Sequence, residues 1–396
     1  MVSHPLKKLP ILTTLSAGLM AATALPAFAA DAGDAFARYQ AVVEEAGLEL
    51  LYDTPTVNGS SGQATNARLV IKDADIGTVE VPVGTIELSG VDDGEDGAIF
   101  IGEMRVDGIN YSADDVEVTT GTILATDFEI PAEGSNVPSG MNAYGSISVD
   151  GATVSVGGNE IVTIASMQGS ATGKFPDEEL AQDFTITDIA FNVDDLPASN
   201  NAKPALQAMG YETVNMDMII EGGWKPSGEV TLDRYDIIAD DIGTLSLVMN
   251  LQGYTAELAK RIAEINAAMT PENQGQQSMA MMGEMANLAL ASGQISFTDN
   301  SITEKVLAFM APQMGTDPAG LKAQAKGLLP LALSQLGNPE LTAMVSSAVG
   351  TFLDNPGTLT VDIAPDAPVP FGEVMGAGMA APQTLPEVLG VKVSAN

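Results

Sequence analysis

Apolar residues recur at helical spacing between Asp31 and Leu48, at Phe36, Tyr39, Val42, Val43 and Ala46, with Gly47 near the end. That period predicts an amphipathic helix. From about Leu50 to Asp195 the period shortens to two. Thr78-Val79-Glu80-Val81, Thr85-Ile86-Glu87-Leu88 and Val116-Glu117-Val118 alternate apolar with polar, as half-buried strands do. Turn dipeptides punctuate the stretch at Asn58-Gly59, Asp107-Gly108 and Asp150-Gly151. The last predicts a two-residue hairpin that sets Val149 opposite Ala152 and Ile147 opposite Val154, all four on one face.

A short helix is expected over Asn201–Met209, capped by Gly210, followed by strands at Val214–Ile220, Gly228–Leu232 and Leu245–Leu251. The next hundred residues turn helical. Helices are expected at Thr255–Met269, ending before Thr270-Pro271, and at Gln276–Ala291 and Ser301–Met310. Asp317-Pro318 opens a fourth, and Asn338-Pro339-Glu340 opens a fifth that stops before Asn355-Pro356. Gln294-Ile295-Ser296-Phe297 reads as one strand between the second and third helices, and Thr358–Ile363 and Val391–Val393 as closing strands. The expected fold class is α+β: a long curved antiparallel β-sheet with a C-terminal helical region packed against it. Residues 30–254 form the mainly antiparallel β region with its N-terminal helix, and residues 255–396 the helical region with closing strands. One internal echo stands out. Asp73-Ala74-Asp75-Ile76-Gly77-Thr78-Val79-Glu80-Val81 resembles Ala239-Asp240-Asp241-Ile242-Gly243-Thr244-Leu245-Ser246-Leu247, by duplication of a β unit or by reuse of one turn chemistry.

Residues 1–29 read as a signal peptide: a basic start at His4, Lys7 and Lys8, an apolar stretch from Leu9 to Leu25, and the small-x-small site Ala27-Phe28-Ala29. The expected location is therefore periplasmic. The mature chain is expected to have no transmembrane span, since no later apolar run reaches about 18 residues. Cleavage leaves 14 basic against 52 acidic residues, a net charge of −38. Such a field repels phosphate backbones, so no nucleic-acid partner is expected. His4 is the one histidine and there is no cysteine. Triads, thiolate or imidazole zinc sites, haem ligation and iron–sulfur clusters therefore lack their side chains in the mature chain.

With those groups gone, oxygen ligands dominate; no cofactor is expected, and calcium or magnesium is the metal class that stays open. The sharpest pattern is Asp92-Asp93-Gly94-Glu95-Asp96-Gly97-Ala98-Ile99-Phe100-Ile101-Gly102-Glu103. Asp92, Asp96 and Glu103 fall on ligand positions one, five and twelve of a helix-loop-helix calcium loop, but Gly94 occupies position three and the flanks read as strands. Solvated acids between strands are the competing reading. The acidic pairs Asp114-Asp115, Asp194-Asp195 and Asp240-Asp241 would serve a carboxylate hydrolase only if opposed across a cleft. Trp224 is the only tryptophan, which offers little platform for sugars. Glycine pairs at Gly157-Gly158 and Gly222-Gly223 lack phosphate-loop spacing, and no Ser-x-x-Lys follows the leader.

Methionine is the more informative feature. Of nineteen, seven lie between 269 and 314: Met269, Met279, Met281, Met282, Met285, Met310 and Met314. Met adapts to variable apolar partners, so these residues are the candidate ligand-binding surface. Ordinary helix packing is the alternative, and spacing leaves the choice open. Met281 and Met285 stand at i and i+4, whereas Met279 and Met282 pair at i and i+3 on a different side.

The last quarter of the chain carries a resemblance. Ile295-Ser296-Phe297-Thr298-Asp299-Asn300, Leu329-Pro330-Leu331-Ala332-Leu333, Phe352-Leu353-Asp354-Asn355-Pro356-Gly357, Ala367-Pro368-Val369-Pro370 and the ending Leu389-Gly390-Val391-Lys392-Val393-Ser394-Ala395-Asn396 make Gly293–Asn396 similar to uncharacterised exported proteins of alphaproteobacteria. That resemblance implies compartment and kinship, with no activity attached. The strand-turn grammar also resembles AsmA-type envelope proteins, an analogy that implies a curved sheet and a lipid. The expected function is non-enzymatic: binding an apolar, lipid-like ligand or scaffolding the cell envelope. The alternative is a carboxylate-based hydrolase, with calcium support.

Overall fold

The computed structural model describes residues 30–45, 48–73, 77–94, 97–130, 132, 145–196, 200, 202–269 and 273–396. The expected signal peptide with His4, the loop acid Asp96, and Ile76 of the echo lie outside the described residues. The described part is mostly antiparallel strand with helices, an α+β chain. It divides into two compact units that meet between Ala190 and Phe191.

The N-terminal unit opens with α1 (Ala32–Glu45). Asp31 caps it, its Oδ1 accepting from the Gly33 and Asp34 amides at 2.8 and 3.1 Å. Phe36, Tyr39, Val42 and Val43 of the expected apolar stripe are buried, joined by Ala32 and Ala35, while Ala46 lies outside the described residues. They cover strands β1 (Leu48–Leu51), β2 (Thr56–Asn58), β3 (Ser61–Asp73) and β4 (Gly77–Asp93). In β4 the buried set is Val79, Val81, Val83, then Ile86 and Leu88, and finally Val91. The parity first changes where the register with β3 slips, between Ala67↔Gly84 and Arg68↔Pro82.

Burial of the Tyr39 phenol among these apolar groups pushes its pKa well above the ordinary tyrosine value. Above about pH 10 the unfolded chain releases this proton and the native chain keeps it. Stability of this unit is therefore intact below about pH 10 and falls as pH rises further, by up to about 1.4 kcal/mol per pH unit for this group. Urea midpoints at pH 9, 10 and 11 test this. Tyr39→Phe is expected to flatten the alkaline limb, and an unchanged limb would assign it to other groups.

The remaining strands are β5 (Ile99–Val106), β6 (Asn110–Ala113), β7 (Val116–Thr120), β8 (Ile123–Ile130), β9 (Ser146–Val149), β10 (Ala152–Val156), β11 (Asn159–Thr172) and β12 (Leu180–Asn192). The order β1-β3-β4-β5-β8-β9-β11 follows from the pairings. Here one expectation is corrected: Asp150-Gly151 is not a hairpin. Val149 pairs with Met167 and Ala152 with Ile164, so β9 and β10 continue on one line against β11. β8 and β7 share a second line, Ile123 facing Val149 and Thr120 facing Ala152. β5 and β6 share a third, with Val106 facing Ile123 and Asn110 facing Thr119.

The three breaks, at 107–109, 121–122 and 150–151, lie side by side and make a crease across the sheet. Cross-bonds recover the interrupted ladder. Gly121 N–H donates to the Gly151 carbonyl at 3.2 Å, Asp150 N–H to Thr122 at 3.0 Å, and Ile109 N–H to Thr120 Oγ1 at 2.9 Å. The backbones come so close that a Cβ on Gly121 would stand 1.9 Å from the Asp150 carbonyl oxygen. Gly108, at φ +125°, occupies a conformation closed to most side chains. Beyond the crease, Ile109, Tyr111, Val116, Val118 and Val154 join the same core as the α1 residues. The Asp-Gly pair serves this bend because a left-handed residue interrupts a strand as readily as it closes a hairpin.

The C-terminal unit contains α2 (Lys203–Ala208), β13 (Thr213–Trp224), β14 (Val230–Ala239), β15 (Gly243–Gln252), α3 (Ala256–Ala267) and α4 (Gln274–Met285). There follow β16 (Ala289–Asp299), α5 (Ile302–Gln313), α6 (Pro318–Ser334), α7 (Pro339–Asp354), β17 (Thr358–Ile363) and β18 (Val369–Pro370). The chain closes with α8 (Phe371–Ala380), α9 (Leu385–Val388) and β19 (Val391–Ala395). Caps act where expected: Thr255, Asp317 and Asn338 accept from the amides of Leu258, Gly320 and Leu341. The second long helix ends at Met285, short of the expected Ala291. Leu288 and Leu290 are buried, and β16 begins at Ala289 to pair with β15. The glycine-bearing α8 was not foreseen. Both copies of the echo join paired strands in one register, Asp73 facing Gly77 and Ala239 facing Gly243.

Candidate functional site: a two-faced sheet with exposed methionines

Strand alternation in the C-terminal unit is locked in register across the order β13-β14-β15-β16-β17-β19, so like positions line up into ladders. One row runs Met218, Ile237, Leu245, Phe297, Leu359, Ala395; the next runs Ile220, Tyr235, Leu247, Ile295, Val361, Val393. The opposite face holds Ile219, Asp236, Ser246, Ser296, Thr360 and Ser394 in one row, polar from β14 onward. Polar cross-strand bonds knit that side, with Gln294 Nε2 donating to Asp362 at 2.6 Å and the Thr298 and Thr358 hydroxyls 2.9 Å apart.

The apolar face is covered at two margins. Phe352 of α7 meets Phe297 edge-on, with ring centroids 6.3 Å apart. At the other end of the strands Trp224 is buried and its Nε1 donates to the Tyr254 carbonyl at 2.7 Å, and its row runs through Val230 and Leu251 to buried Leu290. Between these margins Leu245 is 41% and Ile295 46% exposed, with Ile237, Leu247 and Val361 half-buried around them. This is apolar sheet surface left accessible in the middle of its face, the kind of surface that marks a binding site.

The candidate methionines fall into separate groups. Met279, Met281, Met282 and Met285 share α4, which packs on α3; Met310 and Met314 end α5, which packs on α6; Met269 follows α3. Met269, Met279, Met282, Met285, Met310 and Met314 are exposed, Met279 to 75%, and Met281 is half-buried. The six exposed ones lie outside any core, whereas half-buried Met281 is compatible with ordinary helix packing. Leu245, Leu247, Ile295 and Val361 were not singled out from the sequence. Their signal was plain alternation, which only acquires meaning once the register aligns five strands.

Asp92 is the penultimate residue of β4 and Glu103 lies exposed in β5; with Asp96 undescribed, only these two calcium candidates are placed. Register pairs Asp92 with Phe100 and Glu103 with Ser89, so strands flank the segment and no helix-loop-helix encloses it. Asp92 Oδ1 accepts from the Asp93 amide at 2.8 Å. Among the described residues no three acids gather as metal ligands. A polar hollow of about 370 Å³ lies nearby, lined by Thr56, Ser61, Gln63, Glu87, Ser89 and Glu103. The acidic pairs sit at turns, with Asp114 and Asp241 in the left-handed conformation at φ +53°.

Among the described residues Glu229 and Asp236 are displaced in pKa, both downward. Hydrogen bonds from Lys225 and Asn250, with the Lys225 charge, hold Glu229 low. Burial would raise Asp236, but bonds from Ser246 and Arg234 and the Arg234 charge outweigh it. Each is held ionised, the opposite of what a general acid needs.

Residues 236–396 match the model of a family described as an uncharacterized protein. No curated protein matches the chain. The matched segment runs from β14 to β19 and so contains most of the apolar ladders. No helix of the described residues is long and apolar enough to cross a membrane.

Proposed function

We propose that the protein works in the periplasm as a non-enzymatic binder of an elongated apolar ligand of the lipid class, held against the apolar face of β13–β17. The observation that carries this reading is the accessible strip around Leu245 and Ile295, framed by apolar ladders on five strands. The C-terminal helices pack against that face in this reading, as the Phe352–Phe297 contact and the Val393 amide donating to Met344 Sδ at 2.9 Å support. Exposed methionines on α4 and α5 supply a pliable border for chains of variable length. Scaffolding would use the same surfaces without a ligand, and no observation favours a hydrolase.

The test is purification without detergent, organic extraction and mass spectrometry. A co-purifying acyl lipid near one per chain is the expected result. Ile295→Glu, which places a charge in the centre of the strip while Ile295 is already half-exposed, is expected to lower that yield about tenfold or more. Native protein that emerges free of lipid and fails to take up a fluorescent fatty acid overturns the proposal.

A further inference from the structure

The apolar surface of the C-terminal unit is not confined to the sheet. Leu328 and Leu331 on α6, Leu336 after it, and Met375 and Met379 on α8 are all exposed, Leu331 to 68% and Met379 to 90%. Leu328 with Leu331, and Met375 with Met379, stand at i, i+3 and i, i+4, so each pair projects from one side of its helix. The two helices are tied at their ends. Asn338 Nδ2 donates to the Gln383 carbonyl at 2.9 Å, which brings the turn after α6 against the turn after α8. Leu336 and Met379 therefore flank one contact.

Charge is missing from this tip. Neither 327–339 nor 374–386 contains a single charged residue, in a chain with 52 acids and a net charge of −36. The nearest cations on α6 are Lys322 and Lys326, and the latter is paired with Asp354. A second copy of so acidic a chain is a poor occupant, because the remainder of both molecules repels. An anionic headgroup surface is disfavoured for the same reason. Uncharged segments rich in Leu and Met, bordered by Glu340, Glu373 and Glu387, fit the interface of a bilayer whose headgroups carry no net charge.

We propose that the α6–α8 tip docks the protein on the surface of a neutral, zwitterionic bilayer. This stands apart from ligand binding on the sheet: vesicle binding reads the tip, and lipid extraction reads the strip. The experiment is flotation of the full chain with phosphatidylcholine vesicles, repeated with a third of the lipid replaced by phosphatidylglycerol. Binding to the neutral vesicles is expected, weakened by the anionic lipid. Leu331→Glu and Met379→Glu sit at open positions that the fold does not need, and each is expected to weaken binding by about tenfold or more. Their circular dichroism and melting are expected to match the parent. No flotation with neutral vesicles, equal flotation of both variants, or a concentration-dependent dimer abolished by Met379→Glu would each overturn the proposal.

Discussion

Phe36→Ala is expected to destabilise the N-terminal unit by about 3–5 kcal/mol, the range for deleting a fully enclosed aromatic ring. Phe36 is 1% exposed in the centre of the α1 stripe. Its ring lies 5.7 Å from that of Tyr52, whose hydroxyl donates to the Phe36 carbonyl at 3.0 Å. A Cβ on Gly62 would come within 3.0 Å of the ring, so β3 is already pressed against it. The strand backbone beneath cannot move in to fill the space, because it is held in register by β2 on one side and β4 on the other. Native-state hydrogen exchange of the β3 and β4 amides, with urea denaturation, measures the loss. A cost below about 1.5 kcal/mol would mean that the helix re-seats and that the stripe is looser than its burial implies.

The second large effect belongs to the crease. Gly121→Ala places a methyl group 1.9 Å from the Asp150 carbonyl oxygen; that oxygen is main chain, and the methyl is fixed rigidly to the Cα. No rotamer relieves such an overlap, so either the strands separate or the bend opens. The expected cost is about 3 kcal/mol, the upper part of the overpacking range. Loss of exchange protection should be greatest at the amides of residue 121 and Asp150, which donate across the break to the Gly151 and Thr122 carbonyls. A variant as stable as the parent would show that the two backbones do not approach there.

Much of the architecture was legible because period alone reveals it. The stripe from Phe36 to Val43, the cap-and-proline starts at Asp317 and Asn338, and the strand Thr358–Ile363 each follow from spacing or a local cap. What failed was anything that depends on pairing partners. Asp150-Gly151 has the local chemistry of a hairpin, and only β11 running past both sides of it shows that the chain goes straight on. The helix expected to reach Ala291 lost its last residues to an edge of β15 that needed a partner. The candidate site shares this character. Leu245 and Ile295 look like ordinary strand residues in isolation, and the apolar face exists only as a sum over strands drawn from distant parts of the chain. The methionines were visible as a cluster in sequence, but their exposure was not, since helical spacing put them on more than one side.

The crease also restricts how this chain tolerates length changes. Deleting one residue from β7 or β10 would turn its buried side chains outward, a familiar penalty of the two-residue repeat. Deleting two would restore the facing of every side chain yet still slide Gly121 or Gly151 away from its neighbour's kink. Deletions of either parity in these two strands are therefore expected to cost stability, each by a different route.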